Sequence, residues 1–154
     1  FMHAFGCLRT ILFVYMSSLN SQIDWATMQK VAGPYPIEAF DFVREGLGFT
    51  VNKIHEELSQ HEDFDPDDDH HVSGQELCLG IRDFAIKQYG LMAMPVLDHW
   101  NVTRTDDFGR IVFAMIKFNL MSKNDNDTMA DFAGVYDFSS EFATERVSDH
   151  LLKG

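Results

Sequence analysis

The segment PIEAFDFVREGLGFTVNKIHEELSQ, beginning at Pro36, constrains the chain more than any other. Phe40, Val43, Leu47, Val51, Ile54 and Leu58 recur three or four residues apart along it. An α-helix turns every 3.6 residues, so this spacing puts all of them on one stripe. A strand would scatter them over both faces. A long helix with one apolar stripe has to lay that stripe on other elements, which predicts an all-α fold, a small helical bundle. Pro36 suits the first helical turn, where its missing N–H costs nothing. Gly46 and Gly48 each weaken the helix by about 1 kcal/mol relative to alanine, so they mark close packing or a bend.

Other helices follow by the same reasoning. Residues 22–32 carry Ile23, Met28 and Val31 in a short helix that the GPYP of 33–36 breaks. Ser73 and Glu76 form an S-x-x-E capping box. It opens a helix with Leu77, Ile81, Phe84 and Gln88 along one face and Gly90 as its stop. Residues 91–100 make a shorter helix that tolerates Pro95 in its first turn, and Asn101 can take the left-handed conformation that ends it. Thr105 is the expected cap of the next helix, with Asp106 and Asp107 favouring the positive end of its dipole. Phe108, Ile111, Val112, Met115 and Phe118 form the apolar face of that helix.

After Leu120 the pattern weakens. SKNDNDTMAD reads as a polar turn, with room for a short β-hairpin near 120–130. DFAGVYDF reads as a short helix or an extended arm, and residues 139–154 as a loosely held C-terminal tail. The 154 residues suit one domain, assigned to 16–138. Residues 1–15 precede Met16, the expected true start, and form a non-native extension or a weak signal-like segment: Arg9, an apolar run, then Ser17 and Ser18. The apolar run Ile11–Met16 is too short to cross a membrane.

The formal net charge of −12 and a pI near 4.8 argue against nucleic acid and anionic membranes as partners. They leave proteins, cations or basic ligands. Cys7 and Cys78 show no zinc-like spacing; Cys78 reads as a buried thiol in a reducing compartment.

The sharpest candidate site is HEDFDPDDDHH at 61–71. Counted from Asp65, an EF-hand loop would take oxygens at positions 1, 3, 5, 7, 9 and 12. Those are Asp65, Asp67, Asp69, the His71 carbonyl, Ser73 and Glu76, a sensible set for calcium or another divalent cation. Three features oppose it: His70 stands where the loop needs glycine, Pro66 stiffens the second position, and NDNDTMAD at 124–131 supplies no paired loop. Ser73 and Glu76 are fully explained as a helix cap, so a solvated linker is the preferred reading of the stretch, with adventitious divalent binding through His61, His70 and His71 a further alternative to calcium.

Enzyme motifs are missing: there is no G-x-S-x-G and no phosphate loop, and Ser59 stands where His55-Glu56 would need the second histidine of a zinc motif. Asp98, His99 and Trp100 are neighbours on a helix and point apart. The helices at 92–100 and 106–119 form a helix-turn-helix-like pair, with LMSKNDND as a wing. Only Arg110 and Lys117 are available there for phosphate.

Four phrases together resemble a known family: YPIEAFDFVREGLGFTV, HVSGQELCLGIRDFAIKQYGLMA, VLDHWNVTRTDDFGRIVFAMI and LMSKNDND…DFAGVYDF. They are similar to an uncharacterised family of small bacterial proteins described as restricted to planctomycetes and verrucomicrobia. The resemblance covers roughly residues 20–138. It implies a bacterial, cytoplasmic protein that starts near Met16, and it implies no activity. It also implies that Asn101 occupies a place usually held by glycine, and that the acidic loop falls where members vary.

The leading expectation is therefore a non-catalytic protein–protein interaction module, docking through its acidic surface or through the aromatic arm Phe132, Tyr136 and Phe138. The bland alternative for the arm is packing on its own bundle. A calcium- or divalent-metal-responsive module using 65–76 is the second expectation, and a winged-helix-like transcriptional regulator the third.

Overall fold

The apolar stripe around Phe40 becomes the longest of the described helices. The structure, a computed structural model, describes residues 24–60 and 71–153. Its elements in chain order are α1 (Trp25–Ala32), α2 (Ile37–Leu58), α3 (Gly74–Tyr89), a 3-10 turn at Gly90–Met92, α4 (Ala93–His99), α5 (Thr105–Lys117), a second 3-10 turn at Met129–Phe132, α6 (Phe138–Glu141) and α7 (Thr144–Lys153). The fold is an all-α bundle, and no strand occurs among the described residues.

The pairing of sequence neighbours α2 and α3 is the most extensive contact between the described elements. Glycine on each helix makes room for the other. A Cβ on Gly46 would stand 2.9 Å from Ile81 Cγ1, and one on Gly80 would stand 2.6 Å from Thr50 Cβ and overlap its hydroxyl. Thr50 is buried, and its Oγ1 donates to the Gly46 carbonyl at 2.7 Å. Gly46 therefore marks close packing, one of the two readings its sequence position left open. Gly48 meets nothing within 4 Å.

α5 crosses α1 and α2 and buries Phe108, Ile111, Val112 and Met115. The α4–α5 connection turns at Asn101, whose φ of 60° is the left-handed conformation expected of it. Its side-chain amide donates to the Pro34 carbonyl at 2.9 Å, tying the connection to the GPYP break.

The chain differs from the sequence expectations in three places. Residues 120–128 form turns instead of a hairpin, because the Asp127 carboxylate accepts the Asn124 N–H at 2.7 Å and takes that backbone out of any ladder. Thr105 lies inside the first turn of α5 rather than capping it; its Oγ1 accepts the Val135 N–H at 3.1 Å. Residues 144–153, expected as a loose tail, form α7, with Val147 fully buried and Phe142 buried before it.

The aromatic arm packs on its own bundle. Phe132 is fully buried in a seat floored by two glycines: an added Cβ on Gly74 or Gly109 would come within 2.9 Å of its ring. Phe138 is buried, with its ring tilted against that of Phe108 at a centroid distance of 5.7 Å.

Gly80→Ala should lower unfolding free energy by about 3 kcal/mol, since overpacking a dense core forces backbone shifts. Gly48→Ala should raise it by about 1 kcal/mol, because open space and helical backbone leave only the propensity gain. Urea denaturation of both variants checks the pair.

Candidate functional site

The acidic stretch comes first. Asp65, Asp67 and Asp69 lie outside the described residues. The remaining three expected ligands are described, and local bonds engage Ser73 and Glu76. The Ser73 N–H and Oγ–H both donate to Glu76 Oε2, at 2.9 and 2.8 Å, and the Glu76 N–H donates to Ser73 Oγ at 3.2 Å. This is the capping box read from the sequence, closing the start of α3. His71, expected to lend its carbonyl, also places its ring Nε2 2.9 Å from Asp127 Oδ1. Among the described residues no three His, Cys, Asp or Glu side chains gather as a metal-ligand group.

Besides Asp127, two buried carboxylates organise the polar interior. Asp107 Oδ2 accepts the N–H groups of Thr103 and Arg104 at 2.9 and 3.1 Å, and its Oδ1 accepts the Tyr35 hydroxyl at 2.6 Å. Arg110 stands 3.6 Å from the same oxygen. Asp107 thus caps α5 by reaching back over its first turn. Burial, and then the hydrogen bond to Asp107, push the Tyr35 phenol up to about 12.

Asp83 is the other centre. It accepts from Lys53 at 2.6 Å and from Arg82 at 2.8 Å, with His150 Nε2 4.0 Å away. Burial alone would raise its carboxyl, but the two cations hold it below the usual carboxylate range. Arg82 continues to Glu141 at 3.1 Å, and Glu141 accepts from Arg146 at 2.6 Å. One chain of charge therefore joins α2, α3, α6 and α7. Beneath it the Tyr136 hydroxyl donates to the Cys78 carbonyl at 3.0 Å, and burial pushes that phenol well up. The Cys78 thiol is fully buried and pushed up to about 12, first by burial and then by the charge of Asp106.

An open depression of about 690 Å³ lies between α1, the GPYP break and the end of α4. Gln29, Tyr35, His99 and Asn101 line it. Both amides there are committed to the fold: Gln29 Nε2 donates to the Tyr35 carbonyl at 2.9 Å, and Asn101 to Pro34. The helix-turn-helix-like pair has α5 sunk into the core, and residues 120–128 provide turns where a wing was expected.

A different feature faces solvent. Leu91 and Met92 in the first 3-10 turn are 54% and 59% exposed; Leu151 and Leu152 on α7 are 50% and 86% exposed. α7 packs on this turn, so the four residues lie on neighbouring elements. A Cβ on Gly90 would stand 3.8 Å from Leu151 Cδ1. Exposed Met94 extends the surface into α4. Behind it, half-buried Tyr89 and Trp100 meet edge to face at 6.0 Å, both against Phe42. Sequence reading did not single out this surface. The signal available was the run LMAM at 91–94, too apolar for the start of an amphipathic helix with a solvent face.

No family model, no curated protein and no solved structure matches the chain. Among the described residues no helix is long and apolar enough to cross a membrane.

Ser73→Ala should cost about 1 kcal/mol through loss of the cap. Glu76→Gln should cost little, because glutamine also closes a capping box. Thermal melts with and without calcium would check both variants: a calcium-dependent rise lost in Glu76→Gln would assign the site to the metal instead. At high pH, Tyr35 and Cys78 contribute stability that is complete below their ordinary values of 10.0 and 9.0 and is lost as pH rises toward 12. Phenolate absorbance should therefore rise together with the loss of helical circular dichroism, and Tyr35→Phe should move that transition to higher pH.

Proposed function

We propose that this chain is a non-catalytic protein-interaction module whose contact surface is the exposed apolar patch of the first 3-10 turn, α4 and α7. The observation that carries the reading is the solvent exposure of Leu91, Met92, Leu151 and Leu152 on adjoining elements, each more exposed than Val31, Ile37, Leu79 and Met129, the other exposed large apolar residues outside the patch. Apolar side chains exposed together mark contact sites, and methionine adapts to varied partners. The sequence expectation of a docking arm is replaced here, since Phe132 and Phe138 are core residues. The polar centres at Asp107 and Asp83 join elements to one another, which supports a structural rather than a chemical role for them. The bacterial, cytoplasmic setting implied by the family resemblance belongs to this proposal.

Panning a displayed library of helical peptides against the full chain tests the reading. Enriched binders should lose most of their affinity for Met92→Ser/Leu152→Ser, whose stability should stay within about 0.5 kcal/mol of the parent because both positions are exposed. Binders indifferent to that pair, or no binders at all, would overturn it.

A further inference from the structure

We infer that the patch pairs with its own counterpart on a second copy of this chain, the two α7 helices lying antiparallel about a two-fold axis near Leu151. The inference rests on the interaction reading and names the partner of that same surface. Its basis is which charges beside the patch are left without a partner. Among the exposed charges of α7, Arg146 pairs with Glu141 at 2.6 Å, and His150 Nε2 stands 4.0 Å from Asp83. Asp149 and Lys153 are exposed too, and neither takes part in an ion pair or hydrogen bond among the described residues. One precedes and the other follows Leu152, which is 86% exposed.

The apolar end of α7 is thus flanked by one free carboxylate and one free ammonium. A helix that answers both must present a cation opposite the first and an anion opposite the second. The same helix read in the reverse direction does so. With the axis near Leu151, position 149 of each copy faces position 153 of the other, and two Asp149–Lys153 pairs form at once. Leu151 then meets its own copy on the axis, and the two Leu152 side chains are offset by only about 3 Å along the helices. Leu91 and Met92 border this seam, since α7 packs on their turn. Glu145 lies nearly two turns before Leu152 and faces no residue of the overlap. Asp98, near the end of α4, adds one exposed negative charge that the pairing does not answer. The net charge of −12 opposes association at long range, but physiological salt screens it beyond about 8 Å, whereas the paired charges meet directly.

Sedimentation velocity of the full chain tests the pairing at concentrations up to about 1 mM, because so small a contact predicts a weak dimer. Met92→Ser/Leu152→Ser should weaken the dimer about tenfold or more. Asp149→Lys and Lys153→Asp should each weaken it about tenfold, since each sets like charges face to face twice. Asp149→Lys also lowers the net negative charge, so an association governed by overall repulsion would strengthen instead. A mixture of the two single variants should form mixed dimers, and Asp149→Lys/Lys153→Asp should associate like the parent. A chain that stays monomeric throughout would overturn self-pairing. Helical-peptide binders lost in Met92→Ser/Leu152→Ser would in that case leave the module standing, and their absence would remove both readings. A dimer indifferent to Met92→Ser/Leu152→Ser would overturn the site. A patch-dependent dimer that ignores the charge exchange would overturn the antiparallel α7 pairing.

Discussion

The close approach of α2 and α3 is the contact on which the rest of the molecule depends. Gly80 lies under Thr50 and Gly46 under Ile81, so each helix presents a hollow to a branched side chain of the other. Dispersion falls away quickly with distance, and a gap of one methyl group would forfeit much of the contact. The short separation also fixes chemistry farther out. It brings Lys53 of α2 within 2.6 Å of Asp83 on α3, and Asp83 in turn holds Arg82 toward the C-terminal elements. Bulk at position 80 would disturb the polar centre as well as the apolar one.

A second layer is fastened over that pair by single anchors. Phe132 fills the space above Gly74 and Gly109, Val147 is buried from α7, and Tyr136 donates to the Cys78 carbonyl. The Arg82–Glu141–Arg146 ion pairs lie nearer the surface, so their contribution is modest beside that of the apolar anchors. The same arrangement lays α7 beside the first 3-10 turn and so creates the apolar patch.

Local signals were legible in the sequence. The stripe through Phe40 and Leu47, the Ser73–Glu76 box and the left-handed Asn101 depend on residues a few positions apart, and each appears in the structure. Less legible were features that join distant positions. Tyr35 meets Asp107 across 72 positions and Tyr136 meets Cys78 across 58, and no periodicity announces such pairs. The arm looked exposed because its seat is made of glycines, which carry no apolar signal of their own. The patch was hidden for the opposite reason: Leu91, Met92 and Leu151 resemble core residues in composition, and only their placement exposes them. Ser73 and Glu76 of the expected calcium set were readable as the competing cap, whereas the contact of the His71 ring with Asp127 joins positions too far apart to be read.

The seat of Phe132 also bears on how the protein is made. Its floor is formed by α3 and α5, and its occupant belongs to a turn synthesised after both. Domains emerge from the ribosome N-terminus first. While residues 129–147 are still in transit, a nascent chain with α2, α3 and α5 already assembled carries an open apolar slot. Residues 129–147 close it, so the core is completed only once they have emerged and folded back onto α3 and α5.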